Sequence, residues 1–390
     1  MSPCCLSDIA WRLCGGASKQ LRVQEEPYAV TMGGPLMGQS KWLGGELGDD
    51  GNIYGIPGDA LSVLKVNPST GEVTTIGIGR VPKGKNKWLR GIRAHDGAIY
   101  GIPACADSVL KIVPKTGEVT TIGGPFEGKW LWHGGVLAKD GNIYGIPCNA
   151  ESVLKIVPET GEVTTIGGPL PGVQKWYGGL LGRDGSIYGF PNNADSVIKI
   201  TPSTQEVTTI GKLPSGGWKW HGGVIDSNGI LVGIPAHADS VLKIVPETGE
   251  VSTFGEPLRA YQTDYCTQGK YKYGGGVLAA DGAVYALPSD ADWVLRIDAL
   301  KEEATTIGDA YPLKNKWQNG FLGPDGAVYG IPCNAEGVLK IVPRTGTVST
   351  IGNLQGWEKW EGGVVGNDGC MYCVPQKAKT VLKISPGKLP

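Results

Sequence analysis

The chain has 390 residues, of which 63 are glycine and 27 proline; that density of helix breakers, nearly a quarter of all positions, excludes a helical bundle. Formal net charge is -1, from 36 basic and 37 acidic side chains, so no global field draws the protein to nucleic acid or to an anionic membrane surface. Twelve Trp and 14 Tyr against four Phe, with 41% hydrophobic residues broken into short runs, describe many short strands joined by tight turns.

Residues 1–27 form an arm that belongs to no repeat and carries Cys4, Cys5, Trp11 and Cys14. Met1 to Gly16 lacks the basic start and apolar middle of an export signal, and no apolar stretch approaches the roughly 18 residues of a spanning helix. The nine cysteines are odd in number and scattered, and no Asn-x-Ser/Thr acceptor occurs; both features fit a reducing compartment better than a secreted disulfide framework. The expectation is a soluble, intracellular, cytoplasmic protein without a membrane span.

The arm leads into Tyr28-Ala-Val-Thr-Met-Gly-Gly-Pro35, which resembles the end of a repeated unit, Glu162-Val-Thr-Thr-Ile-Gly-Gly-Pro169. The full unit is clearest from Trp132 to Gly167. Its Trp position recurs at Trp42, Trp88, Trp132, Trp176, Trp220, Tyr273, Trp317 and Trp360, spaced by 46, 44, 44, 44, 53, 44 and 43 residues. Eight such units mean a closed or stacked array, since one unit alone cannot bury its apolar faces. Each reads as four strands: the Trp through Gly-Gly, Asn-Ile-Tyr-Gly-Ile, Ser-Val-Leu-Lys-Ile and Glu-Val-Thr-Thr-Ile. Asp-Gly and Thr-Gly turns join the first strand to the second and the third to the fourth.

Four antiparallel strands per unit make a blade, and the predicted fold is all-β: an eight-bladed β-propeller occupying residues 28–390 as one domain. The last unit ends at Val381-Leu-Lys-Ile-Ser385 without a fourth strand. Residues 28–33 supply it from the other terminus and close the ring, leaving no open sheet edge at the seam.

The Asp-Gly-x-Ile-Tyr second strand and the Thr-Gly-Glu-Val turn resemble the short repeat of quinoprotein-type β-propellers over residues 28–386. That group includes eight-bladed dehydrogenases and non-catalytic assembly scaffolds, so the resemblance implies the architecture and either kind of role. The adjacent Cys pair that quinoprotein alcohol dehydrogenases hold beside the cofactor has its counterpart here only at Cys4-Cys5, in the arm outside the blades.

In a four-stranded meander the Asp-Gly and Thr-Gly turns share one face, and they barely change between units. The opposite face carries the Lys-Trp segment and the Pro-x-x-Ala-Asp/Glu loop, where the units differ, and variable loops on a rigid frame are where sites sit. Lys41, Lys87, Lys175, Lys219, Lys272, Lys316 and Lys359 precede the Trp position, Leu131 standing in the remaining unit; acids follow Ala at Asp107, Glu151, Asp195, Asp239, Asp292 and Glu336. The two sets are expected to pair within or between blades. The Trp itself is expected to pack between blades. A Gly three residues after the Trp position never changes, from Gly45 to Gly363, which is expected where inner strands crowd the axis.

Beside it the units diverge. Arg90 and Asn319 replace the preceding Gly, and His133, Tyr177, His221, Gln318 and Glu361 follow the Trp position. Polar groups converging on a channel mouth form the candidate ligand site. The link between blades five and six is nine residues longer than the common spacing of 44; its Tyr261, Asp264, Tyr265 and Tyr271 form a candidate partner hook.

Other motifs carry no chemistry. Gly79 to Asn86 falls short of a phosphate-binding loop, with Asn where Ser or Thr would hold magnesium. Cys370 and Cys373 sit in a predicted strand, on opposite faces. No metal or cofactor is expected. The sequence favours a non-catalytic scaffold that binds a protein, peptide or glycan through its variable face. The alternative is an enzyme, a lyase, hydrolase or quinone-dependent oxidoreductase, working at the channel mouth with Arg90, His133, His221 and Glu361.

Overall fold

A computed structural model describes residues 26–255, 258 and 270–387. Among them lie 32 strands in eight antiparallel sheets of four, and no helix long and apolar enough to cross a membrane. Blade three is representative, with strands Trp132–Leu137, Ile143–Pro147, Val153–Val157 and Glu162–Ile166. Its Asp140-Gly141 turn recurs through the ring: Asp140 accepts hydrogen bonds from the Asn142 amide at 3.0 Å and the Tyr144 hydroxyl at 2.7 Å. In blade five Val232 replaces that Tyr, and Asp226 caps the amides of Asn228 and Ile230 instead.

The second strands do not alternate polar and apolar residues, because both sheet faces are covered by neighbouring blades. Every residue of Ile143–Pro147 is buried. The core is therefore eight separate layers between blades, as where Tyr100 and Ile102 of blade two meet Trp132, Ile143 and Leu154 of blade three. Each fully buried Ile or Leu contributes about 1.5–3 kcal/mol. Trp packs between blades as the sequence implied. In seven blades its Nε1 also donates to a carbonyl 20 residues on, for example Trp88 to Ser108 at 2.8 Å.

Closure is as expected. Tyr28–Met32 pairs antiparallel with Val381–Ser385, in register from Tyr28 opposite Ser385 to Met32 opposite Val381. The Leu36 amide then donates to the Lys379 carbonyl at 2.8 Å.

Two expectations need correction. The Lys residues are not a surface ring of ion pairs. Lys87 is 1% exposed, and its ammonium donates to the carbonyls of Gly58, Ala60 and Gly84 at 2.6, 3.0 and 3.3 Å. Gly58 and Ala60 belong to the previous blade, so each such lysine staples two blades. Lys41 does the same across the seam to Gln376 and Ala378, both at 2.9 Å. Lys272 does meet Asp239 at 3.0 Å, but carbonyls are the recurring partners, because the loop turns them inward, the first of them also accepting the lysine's own amide, as Gly58 does from Lys87 at 3.2 Å. Burial pushes the Lys41 and Lys87 ammonium groups down to about 8. The invariant Gly is not explained by crowding at the axis either. A Cβ on Gly91 would lie 2.8 Å from Ile56, and one on Gly223 would lie 2.2 Å from Phe190. In five blades the limiting contact is the second-strand side chain of the preceding blade; at Gly45 and Gly320 it is the carbonyl of Tyr54 or Tyr329, and at Gly363 it is Met371, all in the same blade as the Gly.

Candidate functional site at the channel mouth

A bulge just after each Trp position interrupts the register of the inner strand, and the residue that follows the Trp faces the axis. All eight of these residues line one cavity of about 840 Å³, and Arg90, His133, Tyr177, His221, Gln318, Asn319 and Glu361 are all among its walls. The opposite end of the channel carries the repeated Asp-Gly turns.

Within the cavity the residues segregate by chemistry. Tyr177 stacks on His133 (centroids 3.4 Å apart) and on His221 (3.7 Å), forming a continuous aromatic wall across blades three to five. Opposite it, Gln318 donates to Ser289 Oγ at 2.9 Å and to Asn315 Oδ1 at 2.6 Å, and the Asn319 amide donates to the Glu361 carbonyl at 2.8 Å. Asn319 has a φ of 56°, a left-handed conformation that Asn tolerates better than most side chains. That makes it, with its hydrogen bond, a structural replacement for Gly as well as a wall residue.

Arg90 stands between these halves. A Cβ on Gly44 would lie 3.7 Å from its Cγ and one on Gly134 would lie 3.8 Å from its Cδ, so its stem crosses the gap that the glycines of blades one and three leave open. The side chain is exposed to the cavity. Its charge is felt across the mouth. Burial first, then Arg90, holds the His133 imidazole well below its usual value and takes His221 down to about 3, so both are neutral. Burial raises the Glu361 carboxyl, and Arg90 opposes that rise. Burial also raises the Tyr177 phenol. Among the described residues, no hydrogen bond or ion pair engages the Arg90 guanidinium.

Sequence reading missed a second ring. The residue two before each Trp position is Ser40, Asn86, Trp130, Gln174, Trp218, Tyr271, Asn315 or Glu358, and all eight have φ between 44° and 56°. At five of the eight positions the fold holds this costly backbone with a clasp from the preceding blade. Asp59, Asn149, Asn193, Asp290 and Asn334 accept the amides of Asn86, Gln174, Trp218, Asn315 and Glu358 at 2.7 to 3.1 Å. Ser40, Asn86, Trp130, Gln174 and Trp218 join the cavity wall. Their variability just before a nearly constant Lys was the available signal. Asn192 and Gln376, which follow the Pro of the second strand, also line the cavity and were not anticipated.

Of the proposed hook, Tyr261, Asp264 and Tyr265 lie outside the described residues. Tyr271 is 45% exposed and meets His237 edge-on, centroids 4.5 Å apart, with Trp218 at 5.9 Å. It therefore extends the aromatic wall outward onto the rim. Among the described residues no group of three or more His, Cys, Asp or Glu is placed to hold a metal ion, and the Tyr177 ring fills the space between His133 and His221. Cys370 and Cys373 belong to different inter-blade layers.

The fold and its one-sided cavity define an eight-bladed β-propeller with a recessed channel mouth. Residues 135–287, less than half of the chain, match the family described as a repeat of unknown function, DUF6923. No curated protein matches the chain. Among solved structures it is similar to Saccharomyces cerevisiae Sqt1, with a TM-score of 0.65 and 10% identity over 93% of this chain and 100% of that one. It is similar also to a streptogramin B lyase, with a TM-score of 0.60 and 16% identity over 92% and 97% of the two chains. A catalytically inactive virginiamycin B lyase from Staphylococcus aureus, with quinupristin, gives a TM-score of 0.58 and 14% identity over 92% and 99%. At such identities the likeness is one of fold.

Proposed function

We propose that the protein is a non-catalytic binding platform that takes a protein, peptide or glycan at the mouth of its central channel. The observation that carries this reading is convergence: the variable positions of otherwise near-identical repeats meet in one cavity, at one end of the channel. The state of the histidines supports binding over turnover. An imidazole held neutral far below its usual range is a weak base and a poor proton donor at neutral pH. Sqt1 and the lyases share the fold, so the fold by itself assigns no role. Glu361 favours the enzyme reading: a buried carboxyl whose hold on its proton is raised by burial, with an Arg across the mouth, is the kind of group that serves as a general acid.

A panel of glycans and peptides tested by thermal shift separates the two. A ligand of the platform stabilises the wild type, loses that effect in Trp218→Ala, keeps it in Lys139→Ala on the opposite face, and is recovered intact by mass spectrometry. Conversion of the ligand to product, or stabilisation lost through Lys139→Ala instead, would overturn the reading.

A further inference from the structure

The chemistry of the mouth is specific enough to name a ligand class, on the basis that the mouth is the binding site. Its one permanent cation, Arg90, has no partner among the described residues and faces the cavity. A planar guanidinium with free donors matches a carboxylate in bidentate geometry. The remaining ionisable groups near it oppose a more highly charged anion. Glu361 and Glu46 line the same cavity, whereas Glu358 on the rim is ion-paired with Lys377. One lining cation beside two lining carboxyls suits a monoanion and disfavours phosphate, whose second charge would find no counter-ion in the wall.

A carboxylate alone would leave other atoms unanswered. Asn192 Oδ1, Gln376 Oε1 and His133 Nδ1 have no hydrogen-bond partner; Asn192 is 1% and His133 9% exposed, and all three residues belong to the cavity wall. A buried polar atom without a partner costs about 1–3 kcal/mol, and because each of these three has under 1 Å² of accessible surface, a rotation of its side chain into the cavity is what lets a ligand hydroxyl recover that cost on binding. An acidic peptide side chain brings none. The Trp130 and Trp218 rings, both on left-handed backbone at the rim and Trp218 clasped by Asn193, add flat apolar faces of the kind that pack against the C–H face of a pyranose.

We infer that the channel mouth binds an acidic saccharide of the uronic-acid type, its carboxylate on Arg90, its hydroxyls on the unpartnered polar atoms of the wall, and its ring against the rim indoles. Digalacturonic acid is the probe, titrated calorimetrically into the full chain with galactobiose as its neutral counterpart. The expected result is that digalacturonic acid binds at least tenfold more tightly than galactobiose. Arg90→Met should abolish this difference while the melting temperature stays within a few degrees of wild type, and Arg90→Lys should restore only part of it. Excess inorganic phosphate should leave the complex intact. Equal affinity for the two disaccharides, an unchanged preference in Arg90→Met, or displacement by phosphate would overturn the assignment. Tighter binding of a Glu-containing peptide at the same mouth would overturn the saccharide class while leaving the platform standing. Absence of any ligand whose binding depends on Trp218 would remove the platform itself.

Discussion

Removing the N-terminal strand tests the architecture most directly. A chain beginning at Leu36 loses five register pairs with Val381–Ser385, which amount to roughly five backbone hydrogen bonds at about 0.5–1.5 kcal/mol each. It also loses Ala29 and Met32 from the layers flanking blade eight. Tyr28 and Val30 are 50% and 44% exposed, so apolar burial adds only about 1–2 kcal/mol. The expected loss is about 5 kcal/mol. With an unfolding entropy of about 2.1 cal/mol/K per residue, the melting temperature should fall by about 7 °C. The exposed third strand of blade eight should also drive association, read by light scattering. A peptide spanning residues 26–36, added in trans, should dock on that edge and restore most of the loss. A truncated chain that stays monomeric and melts within 2 °C of the full one would refute the closure, as would failure of the peptide to rescue a destabilised one.

Two further perturbations probe the staples and the mouth. Lys87→Met keeps the stem but strips the donor from the carbonyls of Gly58, Ala60 and Gly84; it should cost about 3 kcal/mol in chemical denaturation, and equal or greater stability would mean that desolvating the ammonium outweighs its hydrogen bonds. His221 has a folded value of about 3 against an ordinary 6.5. Between those limits the unfolded chain takes up a proton that the folded chain refuses, so stability declines as pH falls from 6.5 towards 3, by up to about 1.4 kcal/mol per pH unit. His221→Phe, which keeps a ring beside Tyr177, should flatten that acid limb between pH 7 and pH 4; the same slope in both proteins would show that the imidazole is not buried as described.

The sequence by itself determined the ring. Spacing of the Trp position fixed the number of blades, Asp-Gly and Thr-Gly fixed the hairpins, and Tyr28 to Met32 matched the strand missing after Ser385, because these are local patterns repeated often enough to read without neighbours. It also pointed to the residues that meet at the mouth, since positions that vary within a strict repeat stand out. What those residues do to one another depended on contacts between blades that no single unit contains. Lys87 is indistinguishable from a solvated surface lysine until the loop of the previous blade closes around it. The left-handed backbone of Trp218 is invisible until Asn193 of the preceding loop supplies its clasp. Tyr177 becomes the filling between two histidines, and Arg90 a lone cation in a shared cavity, only when strands from blades two to five are brought to a common axis; that juxtaposition is a property of closure, and only the tertiary structure decided it.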